Sequence, residues 1–114
     1  LGLATGKSQR GLDRLLEAHR WHGLFSTCQC ADAHPSKPHP SMILQALAEC
    51  AVDGDRAAMV GDSIYDMQMA LAAGVAAIGI GWGYHTEQAL RAERAHDVAR
   101  SFPALTDILL ERAR

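Results

Sequence analysis

No apolar run in this chain comes near the roughly 20 residues that a membrane-spanning helix requires, and no secretory signal pattern is present. Charge of one sign is missing as well. Eleven Lys and Arg against 13 Asp and Glu give a formal charge of −2, whereas a general nucleic-acid binder usually shows a basic patch. The one arginine-rich stretch, Arg91 to Arg100, alternates with acids and reads as a solvated helix face. Cysteine is sparse and odd in number. Cys28, Cys30 and Cys50 have no framework spacing, so free thiols in a reducing cytoplasm are expected. Cys28-Gln29-Cys30 would place both thiols on one strand face with His34 and His39 nearby, but a single C-x-C pair is not a zinc pattern, and no histidine sits in H-E-x-x-H. Two Trp, two Tyr, two Phe and four Met read as core or loop packing rather than a cofactor box. Repeats, low-complexity tracts and linkers are absent.

What remains is an ordinary globular composition, 48% hydrophobic and 21% charged over 114 residues. That length makes one compact domain able to bury its own core. Leu1 to Ala4 reads as the end of a strand closing at Thr5-Gly6, and Ser8 can cap a helix carrying Leu12, Leu15, Leu16 and His19, with Gly23 as its stop. Leu24 to Cys28 is a second short strand, and Ala31 to Pro40 is a loop with three prolines, two histidines and Lys37. A helix from Ser41 to Ala51, with Ile43, Leu44, Leu47 and Ala51 inward, leads through the turn Asp53-Gly54-Asp55 to a third strand, Ala57 to Val60. A helix over Ile64 to Ala73 stops at Gly74, and Val75 to Ile80 is strand four. Glu87 to Glu93 looks helical and His96 to Ala99 is an edge strand. Ser101 and Pro103 open a last helix with Leu105, Ile108 and Leu109 inward. Strands alternating with helices, without a hairpin signal, predict a parallel α/β sheet covered by helices on both faces.

In such a sheet, ligands bind at the carboxyl ends of the strands. Three polar turns fall there: Thr5-Gly6, the loop carrying Lys37, and Gly61-Asp62-Ser63-Ile64-Tyr65-Asp66 after the third strand. Ser63 and Asp66 have the spacing of a helix capping box. Asp62 and Asp66 are also two acids held close, which a nearby cation would stabilise. A hydroxyl and backbone N–H groups suit phosphate oxygens, a lysine supplies a point charge, and carboxylates supply the hard oxygens Mg²⁺ prefers. Together they can form an electrostatic clamp for phosphoryl transfer. Gly6-Lys7-Ser8 also invites comparison with a nucleotide-binding P-loop, but Leu1 stands where that pattern needs glycine.

This order of turns resembles the haloacid dehalogenase-like hydrolase superfamily, in its phosphoglycolate phosphatase-like branch. Leu3-Ala4-Thr5-Gly6-Lys7-Ser8 looks like the second motif, Lys37-Pro38-His39-Pro40 the third and Gly61 to Asp66 the fourth; Gly74 to Gly79 and Trp82 to His85 are similar too. The resemblance implies a Rossmann-like three-layer core and a Mg²⁺-dependent phosphatase of small phosphorylated metabolites, with no nucleic-acid or membrane partner. It implies that Thr5 and the Gly6 N–H bind the phosphoryl group and that Lys37 neutralises it. Asp62 would bind Mg²⁺, and Asp66 would support the metal or hold Lys37. The family's first motif, an Asp-x-Asp carrying the nucleophile, has no counterpart: Asp53-Gly54-Asp55 has the spacing but lies in a turn. The substrate-selecting cap domain is missing too. Residues 1–114 are therefore expected to be a partial core, from the second motif onward. The aspartyl-phosphate chemistry would lie upstream, and the absent central strand would come from an upstream segment or another copy of the chain. The alternative is a domain that keeps the fold and binds phospho-ligands or proteins without chemistry.

Overall fold

Helix starts in this chain are marked by side chains that accept the first free backbone N–H groups. In the computed structural model, which describes residues 1–112, Ser8 caps α1 (Gln9–His19) by accepting from the Gly11 N–H. The His39 ring accepts from Ser41 at the head of α2 (Ser41–Cys50), 3.2 Å. Ser63 and Asp66 form a full capping box on α3 (Ile64–Ala73), and Thr86 caps α4 (Glu87–Ala92). Ser101 accepts from Ala104 in α5 (Phe102–Arg112). Gly74 ends α3 in the left-handed region, φ 74°, where a glycine carries no Cβ penalty.

The strands are β1 (Gly2–Ala4), β2 (Thr27–Gln29), β3 (Ala58–Gly61), β4 (Ala76–Ile80) and β5 (Asp97–Ala99). All pair in parallel, as β1–β2 with Leu3 opposite Cys28, and as β3–β4–β5 with Val60 opposite Ile78 and Gly79 opposite Val98. The parallel α/β fold expected from the alternation is present. It is divided, however, because β1 and β3 are not paired with each other. Between them runs a groove of about 250 Å³ lined by Leu1–Ala4, Ala57–Met59, Val75 and the α2 residues Ile43, Ala46, Leu47 and Cys50. Helix α2 packs on β1, β2 and α3 and so spans the division. The larger core joins Met42 and Ile43 of α2 to Met67, Met69 and Ala70 of α3, with Ala77, Leu90 and Val98. A smaller one gathers Leu12, Leu16 and Cys30.

Several boundaries differ from the sequence reading. Helix α1 ends at His19, because Arg20 takes the left-handed cap (φ 56°) and the Trp21 N–H donates to the Leu16 carbonyl, 2.8 Å. Gly23 only shapes the turn that follows. The second strand starts at Thr27 rather than Leu24, since the Leu24 N–H is used by the Trp21 carbonyl in that turn. On α2, Met42 and Ile43 are the buried residues, whereas Leu44 is half exposed and Ala51 is the left-handed C-cap. No residue of α5 is buried, and Leu109, expected inward, is exposed; the helix rests on β5 by one flank. Cys28, Cys30 and Cys50 are free thiols, and burial followed by the Glu49 charge pushes the Cys28 thiol up. Among the described residues, no helix is long and apolar enough to cross a membrane.

Two measurements test this packing. Met67 has no exposure, so Met67→Ala is expected to lower the urea-unfolding free energy by about 2–5 kcal/mol. On the surface, hydrogen bonds from Arg100 and then Arg91 hold the Glu87 carboxyl down at about 2. Because the folded value is depressed, its contribution to stability is present above the ordinary carboxylate range and is lost as pH falls toward 2. Arg100→Ala is expected to raise the Glu87 pKa in an NMR titration.

Candidate active site

The site is organised by Asp66, one turn into α3 and buried. Helical spacing turns its side chain back toward the end of β3, where Gly61 leaves room. A Cβ on residue 61 would lie 2.5 Å from Asp66 Oδ2. Into that space Asp66 Oδ2 accepts from the N–H groups of Asp62 and Ser63, each at 3.2 Å, and from the Ser63 hydroxyl at 3.1 Å. Its other oxygen, Oδ1, takes the Lys37 ammonium at 2.7 Å. Three of the four donors meet at Oδ2, so Oδ1 carries the Lys37 ammonium alone among the described residues and keeps one of its two acceptor positions. Asp66 therefore holds Lys37.

Lys37 arrives on the loop leaving β2. A turn closed by the His39 N–H on the Ser36 carbonyl (3.1 Å) presents it, and the Lys37–Pro38 peptide is cis. An ammonium has three donors, so among the described residues two remain beside the one given to Asp66.

Asp62 is half-buried and held from the β4–α4 loop. The Tyr84 N–H donates to Asp62 Oδ2 (3.2 Å), and the His85 N–H donates to the Asp62 carbonyl (2.9 Å). The His85 ring fastens the same loop to the head of α3, its Nδ1 accepting the Ile64 N–H at 3.0 Å. Gly83 permits this approach, as a Cβ there would stand 2.7 Å from Asp62 Oδ2. Sequence reasoning noted Trp82 to His85 as similar to the family and gave the segment no role at the site. The usable signal was Gly83, a glycine where backbone must come close to a side chain.

Asp62 Oδ1 accepts no hydrogen bond among the described residues. It is a hard oxygen of the kind Mg²⁺ takes, and that ion commonly binds one or two carboxylates with waters and phosphate oxygens completing its octahedron. No group of three or more His, Cys, Asp or Glu able to hold a metal occurs among the described residues. Asp62 fits Mg²⁺ as one ligand of such a shell.

Thr5 lies on the other half-sheet. Its N–H donates to the Gln29 carbonyl (3.0 Å) and its hydroxyl accepts from the Lys7 N–H (3.2 Å). It makes no hydrogen bond to Lys37, Asp62 or Asp66. It shares their rim, because β2 ends opposite it and the loop leaving that end delivers Lys37 to Asp66. The Gly6 N–H makes no hydrogen bond among the described residues, and the space where a Cβ would sit is open. Lys7 is exposed and Ser8 serves as a helix cap.

The two glycines are expected to differ sharply. Gly61→Ala must displace Asp66, with a loss of about 1–3 kcal/mol in denaturant unfolding as for other overpacked sites. Gly6→Ala meets nothing and should stay within about 0.5 kcal/mol of the parent.

The sequence profile of haloacid dehalogenase-like hydrolases matches residues 1–80. The chain is 41% identical over 104 residues to a probable phosphatase, IndB, of Dickeya dadantii, covering 90% of this chain and 45% of that protein. It is 31% identical over 112 residues to a phosphoglycolate phosphatase of Psychrobacter arcticus, covering 97% and 49%. A crystal structure of a haloacid dehalogenase-like protein from Agrobacterium tumefaciens matches with a TM-score of 0.85 at 25% identity, over 97% of this chain and 54% of that one. A hydrolase from Pseudomonas syringae shares the fold with a TM-score of 0.85 at 23% identity, over 97% and 52%. The chain spans about half the length of these relatives. Matched by the profile over most of its length and folded like the solved structures, it belongs to the haloacid dehalogenase-like hydrolases.

Proposed function

We propose that this chain is the phosphate- and metal-binding part of a Mg²⁺-dependent phosphatase acting on small phosphate monoesters, phosphoglycolate foremost. The observation that carries the reading is the 2.7 Å Lys37–Asp66 pair beside Asp62 at the carboxyl end of a parallel sheet. Relatives named phosphatase and phosphoglycolate phosphatase support the same chemistry. The free thiols suit a cytoplasmic protein.

In this reading Lys37 directs its two remaining N–H donors to phosphoryl oxygens, held in aim by Asp66. The Thr5 hydroxyl and the Gly6 N–H bind the same group from the opposite side. Asp62 Oδ1 would be the direct ligand for Mg²⁺, whose positive charge would offset the negative charge of the phosphoryl oxygens. Asp66 would add its negative charge beside the ion while it restrains Lys37. An aspartate carboxylate upstream of this chain attacks phosphorus, the P–O bond to the alcohol breaks, and the alcohol leaves with a proton given by the second acid of the same Asp-x-Asp, which regains it from the attacking water. Water then releases inorganic phosphate and restores the carboxylate. The groove between β1 and β3 receives the strand that ends in that aspartate. Its two open edges present N–H and C=O groups that need partners, and the relatives are about twice as long as this chain.

The test is phosphate release from phosphoglycolate or an aryl phosphate by the full-length gene product with Mg²⁺. Asp62→Ala, with folding intact, is expected to lose about 100-fold or more in kcat, as when other transition-state charge stabilisers are removed. Unchanged activity overturns the assignment. Binding of phosphate without turnover in the parent protein would favour a non-catalytic phospho-ligand domain, a reading suggested by Asp53 at the head of a 3₁₀ turn and Asp55 within it, rather than both ending a strand. For the groove, sedimentation of the 114-residue chain alone is decisive: a well-folded 12.3 kDa monomer contradicts the need for an added strand, and a dimer assigns it to a second copy.

A further inference from the structure

A hydrogen-bonded chain that the proposed chemistry does not use runs from Glu49 to the two ends of the Lys37 loop. Thr27 donates its hydroxyl proton to Glu49 Oε1 at 2.7 Å. Gln29, buried on β2, donates from Nε2 to Glu49 Oε2 (3.0 Å) and to Thr27 Oγ1 (2.8 Å). Only the amide nitrogen can donate to a carboxylate, so the orientation of Gln29 is forced and its Oε1 faces the other way. There it meets His34 Nε2 at 2.7 Å. The carbonyl oxygen can only accept, so His34 carries its proton on Nε2. In the neutral ring Nδ1 is then an acceptor for the Ser41 hydroxyl, 2.6 Å away. From Thr27 to His34 Nε2 each proton thus has a determined direction. The hydrogen bonds from Thr27, Gln45 and Gln29 hold the Glu49 carboxyl below its ordinary value, so the anchor is ionised.

Gln29 is the last residue of β2 and Ser41 the first of α2. The His34 ring therefore ties together the two elements from which the Lys37 loop departs and to which it returns. Between His34 and Ser41 the chain has a single turn, Ser36 to His39, with Lys37 on it. Lysine has the largest rotamer freedom among the side chains at the rim, and a loop held at both ends removes the backbone part of that freedom.

We propose that His34 is a positioning residue for Lys37, setting the loop so that the ammonium reaches Asp66 and the phosphoryl group. The inference rests on the phosphatase reading for what Lys37 does, and its test does not. The sequence contains two lysines, Lys7 and Lys37. Lys7 is exposed, whereas Lys37 is paired and its side chain 23% exposed. Reductive methylation of the full-length gene product, read by peptide mass spectrometry, gives the Lys37 to Lys7 labelling ratio with Lys7 as internal reference. His34→Leu, which removes both ring bonds, is expected to raise that ratio about tenfold, the scale of one or two lost hydrogen bonds. His34→Gln offers a donor and an acceptor in the same direction and should restore the ratio to within about twofold of the parent. In a phosphatase assay, His34→Leu should lower kcat/KM and weaken inhibition by inorganic phosphate, with His34→Gln recovering both. A folded His34→Leu protein with an unchanged ratio overturns the proposal. If His34→Leu does not fold, Ser41→Ala removes one ring bond only; a raised ratio supports the proposal and an unchanged one overturns it. A parent protein that hydrolyses no phosphate monoester removes the phosphatase reading but leaves the labelling result to decide the role of His34.

Discussion

A carboxylate taken out of water must be given donors, and at Asp66 that requirement shapes the whole rim. Burying an ionised group without partners is far more costly than any single contact returns. Asp66 satisfies it with two backbone N–H groups, one hydroxyl and one ammonium. Those bonds fix the start of α3, the path of the chain from β3 into Asp62, and the position of a lysine 29 residues earlier. Gly61 is a glycine because the same carboxylate lies against it. Removing Asp66 would leave Lys37 without its ion-pair partner, and two N–H groups without acceptors.

Two histidines do comparable work on either side of this centre without touching it. His34 binds the ends of the loop that carries Lys37, and His85 binds the β4–α4 loop to the first residue of α3. In each case a ring nitrogen reaches across a chain reversal. Asp62 Oδ1 is left open among the described residues because the Tyr84 N–H occupies only Oδ2.

Much of this was readable in the residues. Helix α3 and its capping box follow from Ser63, Asp66 and Gly74, whose spacing admits few alternatives, and its bounds match the sequence reading. Parallel pairing follows from strands that alternate with helices. The less legible parts were those decided by distant contacts. Gly23 has the features of a helix stop, yet Arg20 takes the left-handed cap because Trp21 can bond back to Leu16. The helical periodicity of α5 is present, but the helix packs by one flank and leaves Leu109 in solvent. At the site, Lys37, Asp62 and Asp66 could be named from their turns and their likeness to known motifs. The histidines could not, because a loop histidine looks the same in sequence whether it is solvated or spans two elements.

The divided sheet has one more implication. Thr5 belongs to one half and Asp62 to the other, with helix α2 and the Lys37 loop bridging the gap. The span between hydroxyl and acid is thus not dictated by either half but by the width of the groove between β1 and β3. Residues such as Leu47 and Ala58, remote from any phosphate, act like the jaws of a calliper: enlarging or trimming them would alter the reach of the rim while leaving every polar group in place.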